Sequence, residues 1–269
     1  MSDVRTARVL RQHVETDRLL GVDAVPRGAV VPVQAPPAAA EPAMPRPAAT
    51  PAAAPARPTP TPPRRPTGPV PQDREGKAAA LAELANEHAQ YCNFCLNNPG
   101  YTQIVFGEGD PEAQLMIVGE GPGAEEDRQG RPFVGASGQL LEKQLGAMGL
   151  SREQVYIANV VKSRPPNNRT PTPAEAADCG IYLKRQIEII APKAILTLGG
   201  PAAKYLLDTT TGVTRLRGNW HTYHDADPPI PVMPTFHPAY LLRSYTPENR
   251  RTVWGDLQKV MERLGLPAK

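Results

Sequence analysis

The chain has 269 residues, a formal net charge of +3 at pH 7 and a sequence pI near 8.8, so it is long enough for one or two domains and only mildly basic, which permits a nucleic-acid partner without requiring one. No apolar run approaches the ~20 residues of a membrane span, and the N-terminus lacks the hydrophobic stretch of a secretory signal. Three cysteines cannot pair off completely, which argues against a disulfide scaffold and fits a reducing, cytoplasmic setting.

In chain order, residues 1–21 are polar with Val9, Leu10, Val14, Leu19 and Leu20 at loosely helical spacing, which predicts a short docking helix. Residues 22–75 follow as a linker. Sixteen of the 33 prolines lie between Pro26 and Pro71, among Ala, Thr and Arg. Such a stretch cannot bury enough surface to offset its ordering entropy, and it predicts an extended, partly polyproline segment. Residues 76–269 then form the folded domain.

Within that domain apolar strands alternate with helices. Leu115–Val118 is a short apolar run ended by Gly119, and Leu140, Leu141, Leu145 and Met148 have helical spacing, with Gly149 as the stop. Val155–Val161 is a second strand. Thr172-Pro173-Ala174-Glu175 reads as a capping box with proline at the first helical position, opening a helix to about Ile190. Ala194–Leu198 is a third strand stopped by Gly199-Gly200, with a short helix through Leu207. Pro231–Thr235 is a fourth strand, and a last helix runs from about Asn249 to Leu264. The expected fold is α/β: three layers, α/β/α, around a central, mostly parallel four-stranded sheet.

Ligands of such sheets bind beyond the carboxyl ends of the strands. Glu120 follows the first strand, Asn159 lies near the end of the second and His237 follows the fourth, so three polar groups are expected at one rim. The loop Gly119-Glu120-Gly121-Pro122-Gly123 is not a dinucleotide fingerprint, because it lacks the GxGxxG spacing, and no GK[ST] follows. Every cysteine of the chain falls in one further pattern. Cys92 and Cys95 form a CxxC, Cys179 is distant, and Ser163 stands where a fourth sulfur would complete a metal-ligand set. That spacing suits zinc or an iron–sulfur cluster, and a CxxC can equally be a redox pair.

At this point the residues resemble a known family. Gly119 through Asp127, continuing through Gly130-Arg131-Pro132-Phe133-Val134-Gly135 to Leu141, is similar to the first motif of type-4 uracil-DNA glycosylases. His237-Pro238-Ala239-Tyr240-Leu241-Leu242-Arg243 is similar to their second motif, and Asn159 through Lys162 with Arg164 to Arg169 resembles their central segment. The resemblance spans about Cys92 to Leu264.

What it implies is a monofunctional hydrolase of base excision repair. It would cleave the N-glycosidic bond of flipped-out deoxyuridine in uracil-containing DNA. The catalytic residues implied are Glu120, Asn159 and His237. Gly121, Glu126 and Phe133 join Asn159 and His237 around the base, with Phe133 stacking, Asn159 on the Watson–Crick edge and His237 near O2. DNA contacts are implied for Ser137 and its backbone neighbours at a helix start, for Arg164 and Arg169, and for Tyr240, Leu241 and Leu242 as a wedge with Arg243 on the backbone. Lys162 is read as structural or phosphate-binding. The resemblance also implies a [4Fe–4S] cluster on Cys92, Cys95, Cys179 and the position of Ser163, where this chain departs from the family by carrying an oxygen. The competing reading is a non-catalytic DNA-binding or redox-sensing iron–sulfur protein of the same fold. A monomer is expected, with the N-terminal segment available to a repair or replication protein.

Overall fold

The structure is a computed structural model that describes Pro66 and residues 68–267. The docking helix expected over residues 1–21 and most of the linker lie outside the described residues.

Six strands form one sheet in the order β1-β3-β2-β4-β6-β5. The inner four are β2 (Leu115–Gly119), β3 (Tyr156–Asn159), β4 (Ala194–Leu198) and β6 (Ile230–Thr235), all mutually parallel. These are the four strands expected from the apolar runs. Two short antiparallel strands were not expected: β1 (Glu108–Gly109) beside β3, and β5 (His221–Tyr223) beside β6. They satisfy the outer hydrogen-bonding edges of the parallel core.

Strand residues alternate between two cores, as period-two geometry requires. Met116, Val118, Ala158, Ile195 and Val232 pack on one face with Leu81, Leu84, Phe94, Tyr182 and Leu183. Those partners belong to α1 (Arg74–Tyr91), α2 (Asn93–Asn97) and α5 (Pro173–Ile190). Leu115, Ile117, Ile157, Leu196 and Met233 face the other way, toward Leu141, Leu145, Leu241, Val253 and Leu257. Here the partners are α4 (Ala136–Met148), α8 (Pro238–Arg243) and α9 (Pro247–Leu264). Three further short helices are α3 (Ala124–Gln129), α6 (Gly200–Leu207) and α7 (Val213–Leu216). The result is the three-layer α/β/α arrangement. Both faces of the parallel strands are covered, so they read as continuous apolar runs.

Local signals hold where their chemistry is self-contained. Glu175 N donates to Thr172 Oγ1 at 3.3 Å and Thr172 N donates to Glu175 Oε2 at 2.8 Å, forming the capping box at the start of α5. Gly149 ends α4 with φ of 80°. At the N-terminal side the packed chain reaches upstream of Gly76. Asp73 caps α1 by accepting from Gly76 N at 2.8 Å, Arg74 pairs with Asp110 at 3.0 Å, and Arg185 Nη2 donates to the carbonyl of Gly68 at 2.6 Å.

The connections place the site. The chain runs from β2 to β3 on one side, then crosses back to β4 on the other side of β2. Connections therefore diverge at the carboxyl end of β2, which opens a crevice there. No helix among the described residues is long and apolar enough to cross a membrane.

Candidate active site and metal centre

A cavity of about 680 Å³ opens at that crevice, lined by Glu120, Gly121, Glu126, Phe133, Asn159 and His237 among others. The rim residues expected from the strand ends are thus brought together. Asn159 is the last residue of β3, in register with Gly119 of β2, and its side chain is buried with Oδ1 unpartnered among the described residues. A buried amide oxygen without a partner is costly, and Asn159 is one of the residues that line the cavity. The main chain around it is held: Val160 N donates to the Gly119 carbonyl at 3.0 Å, and Val161 N to the Glu120 carbonyl at 3.2 Å.

Phe133 forms one wall. It is buried, and its ring centroid lies 5.7 Å from that of His237. Its φ of 52° puts a bulky residue in the left-handed region, where such side chains are rare. Two contacts explain why the loop tolerates this. Arg152 Nη1 donates to the Phe133 carbonyl at 2.7 Å, and Arg152 Nη2 donates to the Pro132 carbonyl at 2.5 Å. Arg152 is itself held by Glu108 at 2.6 Å. A Cβ at Gly138 would lie 1.8 Å from the Phe133 carbonyl oxygen, so α4 can approach this loop only through glycine. Arg152 carries no motif, and nothing in its sequence neighbourhood points to this role.

His237 caps α8. Ala239 N donates to His237 Nδ1 at 3.1 Å, which leaves the ring proton on Nε2. Burial, and then the nearby Arg243 charge, hold its pKa down at about 4, against the opposing pull of Glu126. The imidazole is therefore neutral at pH 7 and offers one N–H donor. Glu126 Oε1 accepts from both Val134 N and Gly135 N at 2.9 Å each. Of the amides at the start of α4 expected to hold a phosphate, that of Gly135 is thus already occupied; Ser137 lines the cavity.

The remaining expected DNA contacts divide. Leu241 is 2% exposed and packed in the core beneath α8, which corrects its reading as a wedge. Its neighbour Leu242 is 45% exposed and Tyr240 38%, because successive helical positions point in different directions. Arg243 lines the cavity. Arg164 Nε donates to Asn168 Oδ1 at 2.7 Å, and Arg169 forms a two-pronged pair with Glu175 at 2.6 and 2.7 Å. Lys162 is fully buried, donating to the Asn159 carbonyl at 2.8 Å and to Gln186 Oε1 at 2.6 Å. That gives it a structural task and removes it from any phosphate. Burial lowers its pKa to about 8.

Behind the sheet lies a second constellation. His88, Cys92, Cys95 and Cys179 are all buried, with one donor atom of each within 4.8 Å of the others. Cys95 Sγ and Cys179 Sγ are 3.8 Å apart. Hydrogen bonds from Cys179 and then Cys95 hold the Cys92 thiol far below the ordinary range, despite its burial. Burial first, and the neighbouring sulfurs next, push Cys179 up. These four residues form a possible metal site. Ser163 Oγ accepts from Asn98 Nδ2 at 2.9 Å. His88 was missed from sequence, although a histidine four residues before the first cysteine of a CxxC is a readable signal on a helix.

Comparison with known proteins gives the family. The profile of the uracil DNA glycosylase superfamily matches residues 106–258. A type-4 uracil-DNA glycosylase of Thermotoga maritima is 47% identical over 180 residues, covering 66% of this chain and 92% of that protein. Proteins of the same description from Sulfurisphaera tokodaii and Archaeoglobus fulgidus are 43% and 42% identical, covering 67% and 65% of this chain and 83% and 88% of theirs.

Proposed function

The chain belongs to the type-4 uracil-DNA glycosylase family, and from that premise we propose that it hydrolyses the N-glycosidic bond of deoxyuridine extruded from DNA, releasing free uracil and leaving an abasic site. The observation that carries this reading is the meeting of Asn159, Phe133 and His237 in one cavity, with an unmet buried acceptor on one side and a neutral N–H donor on the other.

The chemistry follows from those groups. Uracil presents N3–H beside O4, and an amide answers both, its Oδ1 accepting from N3–H and its Nδ2 donating to O4. As the bond breaks, negative charge gathers on the uracil ring. His237 Nε2–H donates to O2 and stabilises that charge without first giving up a proton, an interaction that strengthens in the transition state. Phe133 stacks on the extruded ring. Glu120 at the end of β2 orients water or favours the cationic sugar, while Glu126 fixes the loop that carries Phe133. Among the described residues no amine is placed as a nucleophile, since Lys162 is buried against Asn159 and Gln186. The reaction is therefore monofunctional.

For DNA, the exposed Tyr240 and Leu242 of α8 are the side chains suited to fill the gap left by the base, with Arg243 and Arg164 toward the phosphates. The protein acts as a monomer, and its N-terminal segment, residues 1–21, serves a separate repair or replication partner. The family resemblance supports a [4Fe–4S] cluster for the thiol constellation. Three buried thiols are the donor chemistry such a cluster needs. When bound, it ties α1 and α2 to α5, and no step of base excision runs through it.

The test is incubation of the full-length protein with a uracil-containing oligonucleotide, followed by detection of abasic sites. Wild type should release uracil without cutting the strand. Asn159→Ala and His237→Ala should each lose roughly 10²–10³-fold in turnover, with DNA affinity far less affected because phosphates supply most of it. Folded, metal-loaded protein that binds DNA yet yields no abasic site would overturn this reading in favour of the non-catalytic alternative.

A further inference from the structure

The metal site contains a residue that neither the motif spacing nor the family resemblance supplies. His88 sits in the last turn of α1, where its own carbonyl accepts from Cys92 N at 2.9 Å. Its Nε2 lies 3.4 Å from Cys95 Sγ and 3.4 Å from Cys179 Sγ. The ring is fully buried and fixed edge-on against Tyr182 at 4.8 Å and obliquely against Phe106 at 5.7 Å. Nδ1 has no partner among the described residues, so the sulfurs are the groups that engage this ring. An imidazole taken wholly out of water for contacts with thiols is poorly compensated. One bound to a metal is not.

Ser163, at the position of the missing cysteine, is differently employed. Its oxygen accepts from Asn98 Nδ2 at 2.9 Å. Ligation would require an alkoxide in a fully buried setting, against a hydrogen bond already made.

We propose that His88 Nε2, and not Ser163, is the fourth ligand of the metal centre, which makes it a Cys3His site closed by the C-terminal turn of α1. Around a single tetrahedral ion with bonds of about 2.3 Å to sulfur and about 2.0 Å to nitrogen, ligand atoms stand roughly 3.5–3.8 Å apart. The observed 3.4 and 3.8 Å match such convergence. An iron–sulfur cluster on the same donors would move them outward, each to its own iron. The proposal rests on a thiophilic centre being bound here, as in the preceding reading. It is separable from that reading, because the ligand set and the metal are measured independently.

The experiment uses full-length protein purified anaerobically, with iron, zinc and acid-labile sulfide quantified and the absorption spectrum recorded. Wild type should be loaded. Ser163→Ala should stay loaded. His88→Ala should lose at least ~10-fold in metal retention, no less than an outer-sphere deletion costs. The double variant His88→Ala with Ser163→Cys should recover the metal by restoring four thiolates, which shows that the single variant lost a ligand and not its fold. Iron and sulfide unchanged in His88→Ala, or lost in Ser163→Ala alone, would overturn the ligand assignment and leave the cluster standing. Zinc without sulfide, lost in His88→Ala, would uphold the ligand set and overturn the cluster. Absence of metal from every preparation would overturn both.

Discussion

Arg152 Nη1 holds the carbonyl oxygen of Phe133 at 2.7 Å, from an anchor on Glu108 on the far side of the guanidinium. The bond stabilises a loop whose φ of 52° at Phe133 is otherwise unfavourable by ~1–3 kcal/mol. Arg152→Lys cannot serve two carbonyls and a carboxylate at once, because a single ammonium lacks the forked geometry. It should lower kcat roughly tenfold with little change in KM for DNA. Single-turnover kinetics beside a thermal melt check this; a lowered Tm with unchanged kcat would make Arg152 a matter of stability alone.

Gly119→Ala is expected to damage the pocket while sparing the sheet. An added Cβ would lie 2.4 Å from Asn159 Oδ1 and 2.6 Å from Phe133 Cζ, both within the cavity wall. The strand backbone there is extended, so alanine brings no dihedral strain of its own. Uracil excision should fall by ~10²-fold or more, in line with the loss of one well-placed transition-state donor or acceptor. Circular dichroism should be unchanged.

Acid should act through His237. Its folded pKa of about 4 lies below the ordinary 6.5, so between those values the unfolded chain binds a proton that the folded one does not. Stability from this group is complete above about pH 6.5 and is lost as pH falls toward about 4. Protonation at Nδ1 would also set an N–H against the amide of Ala239. Denaturant titrations from pH 4 to 7 should show a steeper loss for wild type than for His237→Asn, which keeps an acceptor and cannot titrate. Turnover should show no inflection near pH 6.5, because the working form is already neutral.

The placement of the pocket was legible from strand ends, because a parallel sheet sends all its carboxyl termini to one rim. Glu120, Asn159 and His237 could be located by chain direction alone. The edge strands β1 and β5 were not legible: two or three residues carry no periodicity, and they exist only because β3 and β6 offer partners. Leu241 and Leu242 are chemically alike, and only the packing of α8 decides which is buried. Helix α1 escaped notice because its buried stripe is Leu81, Leu84 and His88, two leucines and a residue that reads as polar. Arg152 was invisible for a simpler reason, since its partners are backbone carbonyls distant in sequence.

Where the domain begins can be tested by truncation. A chain starting at Pro66 should match the full protein in melting and in excision. One starting at Gly76 loses the Asp73 cap, the Arg74 ion pair and the Gly68 carbonyl that Arg185 holds. A cap alone contributes about 1 kcal/mol, and for a domain this size each kcal/mol shifts Tm by about 2–4 °C. The shorter chain should therefore melt several degrees lower while still excising uracil at moderate temperature, since the cavity residues lie downstream. Equal melting of the two would show that the residues before Gly76 contribute nothing.

Asn159 leaves β3 and His237 follows β6, with β2 and β4 between them. Three inter-strand spacings of about 4.8 Å separate the two groups by roughly 14 Å at the sheet. That span is a caliper whose jaws are side chains and whose beam is main-chain hydrogen bonding. Drift among the apolar residues that coat the beam leaves its length alone, so the gauge for a flat six-membered ring is inherited with the topology. A variant enzyme for a larger base would have to shorten the jaws, because it cannot widen the beam.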